Sequence, residues 1–467
     1  MRKTKIICTL GPASDSPEVL TELIRAGADI FRLNMSHATH DWVRDIVPKI
    51  RRIAKELGTV TAILLDTQGP AIRTGELASK LNLKPGDIFE FTVRGSRSVE
   101  LYSVDVNYDG LIDDINVGDT VLVDNGVMHM KVLEKNNNRI RCEVLTAGTL
   151  GSRRHINLPG VKVNLPPLTE KDLADIEVGT SLGVDFVALS FCREAADIIE
   201  LKRILAEHGS SARTVAKIED QHAVKYVNDI IRASDVVMIA RGDLGIECEM
   251  EELPIIQRRI IKKCIQIGRP VIVATHMLES MIESPLPTRA EITDVANAVY
   301  EQADAIMLSG ETAMGKYPVQ CAKILDRVAR RIERSGSAGY AKDAVVDTTR
   351  LKTMKSAVTL ANSFQHAHIV VFTRRGYMAD NASHLRPENA PIFAFSPSAE
   401  VVRRLAINWN THAIQMPFGV NPAHTIADAE AELKRRNLIK TGDQLIVLSD
   451  ILAGDERFDS IQLREVL

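Results

Sequence analysis

Two hydrophobic rhythms alternate along most of this chain. From residue 5 to about 70, and again from about 163 to 335, short β-branched apolar runs are each followed by a stretch whose apolar positions recur at helical spacing. The runs are KIICTLG (5–11), ADIFRLNMS (28–36), TAILLDTQ (61–68), DFVALSFC (185–192), RTVAKIE (213–219), DVVMIARGD (235–243), PVIVATHM (270–277) and DAIMLSGE (304–311). Helical patterns such as PEVLTELIRAG and EAADIIELKRILAEHG follow them, and several close with glycine, a common helix stop. Strands that are apolar at nearly every position predict a parallel sheet covered on both faces, and eight such strand–helix units predict a (β/α)8 TIM barrel.

Between the third strand and its helix the texture changes for about 90 residues. LKPGDIFEFTV, INVGDTVLVDNG and HMKVLEKNNNRIRCEVL read as strands joined by Gly-Asp and Asn-rich turns. The reading is an inserted small β-barrel domain over residues 70–162, with the catalytic barrel taking 1–69 and 163–335. A loop at that point opens on the C-terminal face of a barrel, so the insert is placed to act as a lid. After RSGSAG (334–339) the pattern restarts as a separate α/β domain over 340–467, from TMKSAVTLANSF and AHIVVFTRR to DQLIVLSD.

Composition narrows the class. Hydrophobic content of 45% and charged content of 25% are those of a soluble globular protein. No apolar run approaches the roughly 20 residues that span a bilayer, and the apolar part of MRKTKIICTLGPA is too short for a signal peptide. The six cysteines are scattered without a C-x-x-C pair, which suits a reducing compartment, and a cytoplasmic location follows as the expectation. A net charge of −3 and the lack of a basic tract argue against nucleic acid as a partner; PKIRRIAKELG (48–58) reads as a solvated helix face.

The candidate chemistry lies at the strand ends. In FRLNMS, Arg32, Asn34 and Ser36 alternate with Phe31, Leu33 and Met35, so one face suits the helix layer and the other the barrel mouth. The third strand ends in Asp66, the fifth in Lys217 and Glu219, the sixth in Arg241, Gly242 and Asp243, the seventh in Thr275 and His276, and the eighth in Ser309 and Glu311. One such strand is compatible with an ion-pair plug; six converging on one rim argue for a site. Glu219 and Asp243 close neighbouring strands roughly 4.8 Å apart, where two carboxylates repel unless a cation joins them. Oxygen ligands without nearby His or Cys suit Mg2+ or Mn2+, and Arg32, Arg73 and Lys217 around the same mouth suit phosphate. No G-x-x-x-x-G-K-[ST] loop occurs. Taken alone, the residues point to a metal-dependent barrel enzyme that handles phosphate.

Quoted in order, TKIICTLGPAS, FRLNMSHATH, GPAIRTG, INLPG, TVAKIED, MIARGDLGIE, MLESMIESPLPTRAEITDVANAV and IMLSGETAMGKYP resemble the motifs of the pyruvate kinase family. The resemblance is close over the barrel and insert and looser over the C-terminal domain. It implies a glycolytic enzyme that moves the phosphoryl group of phosphoenolpyruvate to ADP, giving pyruvate and ATP. On the matching positions, Glu219 and Asp243 would hold Mg2+ or Mn2+, and Lys217 would neutralise the phosphoryl group in transit. Arg32 would bind the substrate phosphate, and the backbone of Gly242 and Asp243 with Thr275 its carboxylate. Thr275, through water, would lie on the proton's route to the enolate, with Ser309 and Glu311 in support. Arg73, His37 and Arg154 would contact nucleotide phosphates. The resemblance also implies a homotetramer and a regulatory or oligomerisation role for the C-terminal domain.

Three departures matter. Asn34, Ser36, Asp66 and the Thr67 carbonyl match a potassium site, but Gln68 and Ala71 fit neither the potassium-dependent nor the independent pattern, so dependence on K+ stays open. His276 stands where the family usually has Gln, and is read as a neutral ring making the same hydrogen bond. In FTRRGYMAD, Arg375 and Met378 replace hydroxyl positions of a phosphate loop, and LAGDERFDS brings in Asp455 and Glu456. Activation by fructose 1,6-bisphosphate is therefore not expected. A barrel lyase acting on carbon–carbon bonds and a non-catalytic descendant are the alternatives; the lid and Arg73 oppose the first, and the retention of Lys217, Glu219 and Asp243 opposes the second.

Overall fold

In the computed structural model the described residues are 1–98, 100–453 and 456–467, with backbone alone for 450–453 and 456–458. All eight runs read as barrel strands are strands. They close into one parallel barrel in chain order, and Ala305–Leu308 pairs back onto Lys5–Thr9. Every strand is four to six residues long and almost wholly buried, as expected where helices cover the outside and side chains fill the bore.

The alternation of side chains decides which residues meet. Phe31, Leu33 and Met35 join the outer core against the helices, while Ile30, Leu64, Val215, Val236 and Met238 fill the bore. Continuing the inward parity puts Arg32 above Ile30, Asp66 above Leu64, and Lys217 and Glu219 above Val215. The opposite end of the bore is floored by Ala406 and Ile407, which belong to the C-terminal domain yet pack in the same cluster as the barrel interior. Ile407 is fully buried, and truncation to alanine would cost about 2–5 kcal/mol.

The insert has a separate core around Phe89, Phe91, Met130 and Ile140. Its six-stranded sheet runs Ile156–Asn157, Thr120–Val123, Met128–Lys135, Arg139–Val144, Ile88–Thr92, Tyr102–Asp105; all pairs are antiparallel except the last. A two-stranded ribbon, Leu81–Leu83 with Gly148–Leu150, adjoins it. The hairpin turn Asp124-Asn125-Gly126 takes three successive positive φ angles of 55°, 56° and 81°, conformations that Asn, Asp and Gly tolerate best.

The C-terminal domain carries a five-stranded sheet in the order Thr411–Gln415, Ile392–Ser396, Ala367–Phe372, Gln444–Ala453, Glu456–Glu465. Four strands are parallel and the last is antiparallel. That last strand was not anticipated: its sequence, ERFDSIQLRE, is charged because it sits at the sheet edge and pairs on one side only. Buried carboxylates fasten this domain to the barrel. Asp185 accepts from Arg51 at 2.7 Å and from Arg403 at 2.8 Å, and Asp304 accepts from Arg386 at 2.6 Å.

Candidate functional site

The strand ends converge on a cavity of about 330 Å³ between the barrel mouth and the insert. Arg32, Asn34, Ser36, Lys217, Glu219 and Asp243 line it from the barrel, and Arg73, Asp124 and Arg154 from the lid side. Lys217 is its hub. The Nζ lies 2.8 Å from Glu219 Oε1 and 3.2 Å from Asp66 Oδ1, and it donates to Ser190 Oγ at 2.7 Å. Burial works against the ammonium, but the charges of Asp66 and Glu219 outweigh it and raise the Lys217 pKa. This lysine is fixed as a cation.

The two acidic partners respond in opposite senses. Burial alone would raise the Asp66 pKa, yet Lys217 and Arg32 pull it below the usual carboxylate range. Both Arg32 Nε and Nη2 lie 2.6 Å from Asp66 Oδ2, and Arg32 Nη1 donates to Thr9 Oγ1 at 3.1 Å. Burial and the charge of Asp243 raise the Glu219 pKa, against Lys217 and an N–H bond of 2.6 Å from Phe191. Two carboxylates that repel beside open cavity form an oxygen donor set for a hard cation. The residues present fit a divalent ion with water or phosphate completing its shell.

Asp243 reaches this position differently from the expectation. The sixth strand stops at Ala240, and Arg241–Glu247 is a short helix, so Asp243 projects from its first turn rather than from the strand. Arg241 points away, donating to Asp294 Oδ1 at 2.7 Å and to the Thr275 carbonyl at 2.6 Å. Thr275 and His276 have φ of 70° and 54°, strained for non-glycine residues and held by this network. Thr275 Oγ1 accepts from Gly242 N–H at 2.6 Å and donates to the Ala274 carbonyl at 2.6 Å. A Cβ on Gly242 would stand 3.4 Å from Thr275 Oγ1 and 3.5 Å from His276 Cε1, in ordinary van der Waals contact with both. The His276 ring is exposed and lies 3.4 Å from Glu279, which differs from the internal hydrogen bond expected of it.

Other expected residues fall into place unevenly. Glu311 is buried and accepts from the Ser309 and Leu278 N–H groups at 2.7 and 3.0 Å, bracing the loops after the seventh and eighth strands. The hydroxyl of Ser309 is buried without a partner among the described residues. Asn34 Oδ1 accepts from Ser36 N–H at 3.2 Å, and the Thr67 carbonyl accepts from Ser190 Oγ at 2.7 Å. Gln68 and Ala71 line the cavity, while the side chain of His37 is exposed and off its wall. Arg154 is oriented by Asp124 at 3.2 Å, and Arg73 by the Arg153 carbonyl at 3.3 Å.

Ser190, Phe191, Asp124 and His155 were missed. Ser190 directly follows the fourth strand, Phe186–Leu189, so a polar residue at the strand end was present there without a charge to mark it. His155 corrects the reading that no histidine is near: it lines the cavity, and burial and Arg73 lower its pKa against the pull of Asp243. Gly69 permits the crossing beneath, since at its φ of 72° a Cβ would meet Phe191 Cδ2 at 2.8 Å and Ser190 Cβ at 2.9 Å. In the C-terminal domain, Arg374 stacks on Phe418 at 5.4 Å beside a cavity of about 530 Å³ that also takes in Arg350, Thr373 and Ser449. Asp455 and the Glu456 side chain lie outside the described residues.

The chain is similar to proteins of known family over its whole length. Residues 1–322 match the family described as "Pyruvate kinase, barrel domain", and 352–462 match "Pyruvate kinase, alpha/beta domain". It is 41% identical to plastidial pyruvate kinase 2 of Arabidopsis thaliana, an alignment covering 100% of this chain and 81% of that one. It is 40% identical to a pyruvate kinase of Geobacillus stearothermophilus over 97% of this chain and 78% of that one. A crystal structure of a pyruvate kinase from Cryptosporidium parvum superposes with a TM-score of 0.94 at 34% identity, covering 99% of this chain and 96% of that one.

Proposed function

Because the chain belongs to the pyruvate kinase family, we propose that it transfers the phosphoryl group of phosphoenolpyruvate to ADP, yielding pyruvate and ATP in glycolysis. The observation that carries this reading is the Lys217 cation held between Asp66 and Glu219, on the wall of a cavity that also takes in Asp243 and the lid arginines. Glu219 and Asp243 would hold the divalent ion, Mg2+ or Mn2+, which when bound offsets phosphoryl charge. Arg32, clamped by Asp66 and Thr9, presents a fixed guanidinium to the substrate phosphate. Lys217 stabilises the charge that spreads over the phosphoryl oxygens as the bond to the enol oxygen breaks and the bond to the ADP β-phosphate forms. Arg73 and Arg154 on the cavity wall, with the exposed His37 beyond it, bind the nucleotide phosphates, and the lid excludes water.

The enolate left behind needs a proton on its methylene carbon. Thr275 Oγ1 spends its own proton on the Ala274 carbonyl, so delivery requires the hydroxyl to turn toward a bridging water. The Gly242 and Asp243 backbone, with Thr275, holds the substrate carboxylate. Asn34, Ser36, Asp66 and the Thr67 carbonyl would hold K+. The active assembly is a homotetramer in the cytoplasm, with neither nucleic acid nor membrane as partner; no described helix is long and apolar enough to cross a bilayer. The test is pyruvate formation from phosphoenolpyruvate, followed through lactate dehydrogenase with and without ADP and Mg2+. Turnover requiring both is the expected result. Pyruvate release without ADP would instead favour lyase or phosphatase chemistry, and no turnover would favour the non-catalytic reading.

A further inference from the structure

The helix Glu170–Ser181 begins where the chain returns from the insert to the barrel, and its first turn does more than start a helix. Thr169 is the N-cap and Asp172 closes a capping box with it. Asp172 N–H donates to Thr169 Oγ1 at 3.1 Å, while Asp172 Oδ2 accepts from the Thr169 N–H and hydroxyl at 2.9 and 2.7 Å. That box occupies one carboxylate oxygen. The other, Oδ1, accepts from the Gln68 and Gly69 N–H groups at 3.0 and 3.1 Å, on the far side of the insert in sequence. One side chain thus ties the point where the chain leaves the barrel to the point where it comes back.

Asp172 is fully buried and, among the described residues, has no cationic nitrogen within 4.0 Å. A buried charge without a counter-ion is costly, and capping alone does not call for it. The helices Pro17–Arg25 and Thr349–Asn362 are capped by the hydroxyls of Ser16 and Thr348 with no such carboxylate. What Asp172 adds is its hold on the bend after the third strand, and that bend leads to the catalytic wall. Gly69 lies against Ser190 and Phe191, and the Phe191 N–H donates to Glu219 Oε2 at 2.6 Å. One residue before Gln68, the Thr67 carbonyl accepts from Ser190 Oγ at 2.7 Å, and that hydroxyl accepts from Lys217 Nζ at 2.7 Å. Asp172 itself is not on the cavity wall. Beside it, Lys171 Nζ donates to the Met35 carbonyl at 2.7 Å, so the same helical turn also braces the loop after the second strand.

We propose that Asp172 is a positioning residue for phosphoryl transfer: its Oδ1 fixes the Gln68-Gly69 bend, which sets the Lys217 ammonium through Thr67 and Ser190, and the Glu219 carboxylate through Phe191. This role rests on the reading of the barrel mouth as the transfer site. Asp172 touches neither substrate nor metal, and what it supplies is geometry. Misplacing reacting groups by about 1 Å costs as much as about 10²-fold in rate, so a bend freed from its anchor is felt in kcat.

The experiment compares Asp172→Ala, Asp172→Asn and Thr169→Ala with wild type in the full chain. Steady-state kinetics with phosphoenolpyruvate, ADP and Mg2+ are paired with thermal melting and with hydrogen exchange followed by mass spectrometry. Asp172→Ala is expected to lower kcat about tenfold or more, with KM for phosphoenolpyruvate within about threefold. Exchange in the segments holding Gln68, Gly69 and Phe191 should quicken about tenfold or more. Asp172→Asn keeps an acceptor oxygen for the bend and should recover kcat to within about threefold of wild type. Thr169→Ala uncaps the helix and should lower the melting temperature while leaving kcat in place. Equal loss of kcat in Thr169→Ala and Asp172→Ala would reduce Asp172 to a capping residue, and unchanged exchange at the bend in a folded Asp172→Ala would overturn the proposal. If Asp172→Ala does not fold, Asp172→Ser, whose single oxygen cannot serve both Thr169 and the bend, is held to the same outcomes. Should the wild type show no turnover, the transfer reading fails by itself, and the exchange at Gln68, Gly69 and Phe191 still decides whether Asp172 holds the wall.

Discussion

Replacing Lys217 by methionine keeps an unbranched side chain one atom shorter and removes one charge from the cavity. In the native state that charge lies 2.8 Å from Glu219 and 3.2 Å from Asp66. A unit charge about 4 Å from the transferring phosphoryl oxygens contributes about 4 kcal/mol at an effective dielectric of about 20. At about 1.4 kcal/mol per decade, its loss lowers kcat by about 10³-fold. On the proposed reading Arg32 also holds the substrate phosphate, so the effect belongs to kcat, and KM for phosphoenolpyruvate is expected to move by about tenfold or less. Folding suffers as well. Asp66 keeps Arg32 while Glu219 loses the one cation it pairs with among the described residues, so the melting temperature falls. The lactate dehydrogenase assay at saturating substrates and Mg2+ reads the first effect, and thermal melting the second. A variant that melts cooperatively yet retains kcat within about tenfold of wild type would refute the role given to Lys217.

Other outcomes can be checked alongside. Ser190→Ala removes the hydroxyl shared by Lys217 and the Thr67 carbonyl, a loss of about 1.5–3 kcal/mol for a bond to a charged group; kcat should fall about tenfold, and unchanged kcat and melting would dismiss Ser190 as a positioning residue. Burial, with Asp220 and Asp243, raises the Glu247 carboxyl to about 7. The folded state therefore holds a proton that the unfolded state releases, so this group lowers stability as pH climbs from its unfolded value near 4.5 through 7. In EDTA, Glu247→Gln should melt higher than wild type at pH 8, by an increment of up to about 3 kcal/mol, and match it near pH 4; a difference independent of pH would contradict this. Initial rates should increase with K+ at constant ionic strength, and flat rates would remove the ion-bound site. Fructose 1,6-bisphosphate should leave the phosphoenolpyruvate saturation curve in place, and a leftward shift would overturn the reading of FTRRGYMAD.

Residues that carry charge on a regular strand were legible before any coordinates. Period-two alternation alone places Arg32, Lys217 and Glu219 on the inward side, and all three line the cavity. The contributions that escaped have no residue-type signature. The Phe191 N–H on Glu219 depends on a backbone φ of 54°, and Asp124 and His155 reach the site only because the insert folds back over the mouth. Asp243 was found for its carboxylate but misplaced by one element, since ARGDLG continues an apolar run and nothing local marks the change from strand to helix at Arg241. The edge strand Glu456–Glu465 was overlooked for the opposite reason: with one partner and one exposed margin it lacks the apolar density of its neighbours.

Ala406 and Ile407 give the barrel a floor made by a different domain. A chain ending before residue 340 would thus be an open tube with an apolar bore, prone to stick to its own kind rather than to work as an independent catalyst. The same cluster joins Ile407 of the C-terminal domain to Val215, two positions before Lys217 on one strand, so that domain and the strand carrying the cavity's ammonium share a single packed core.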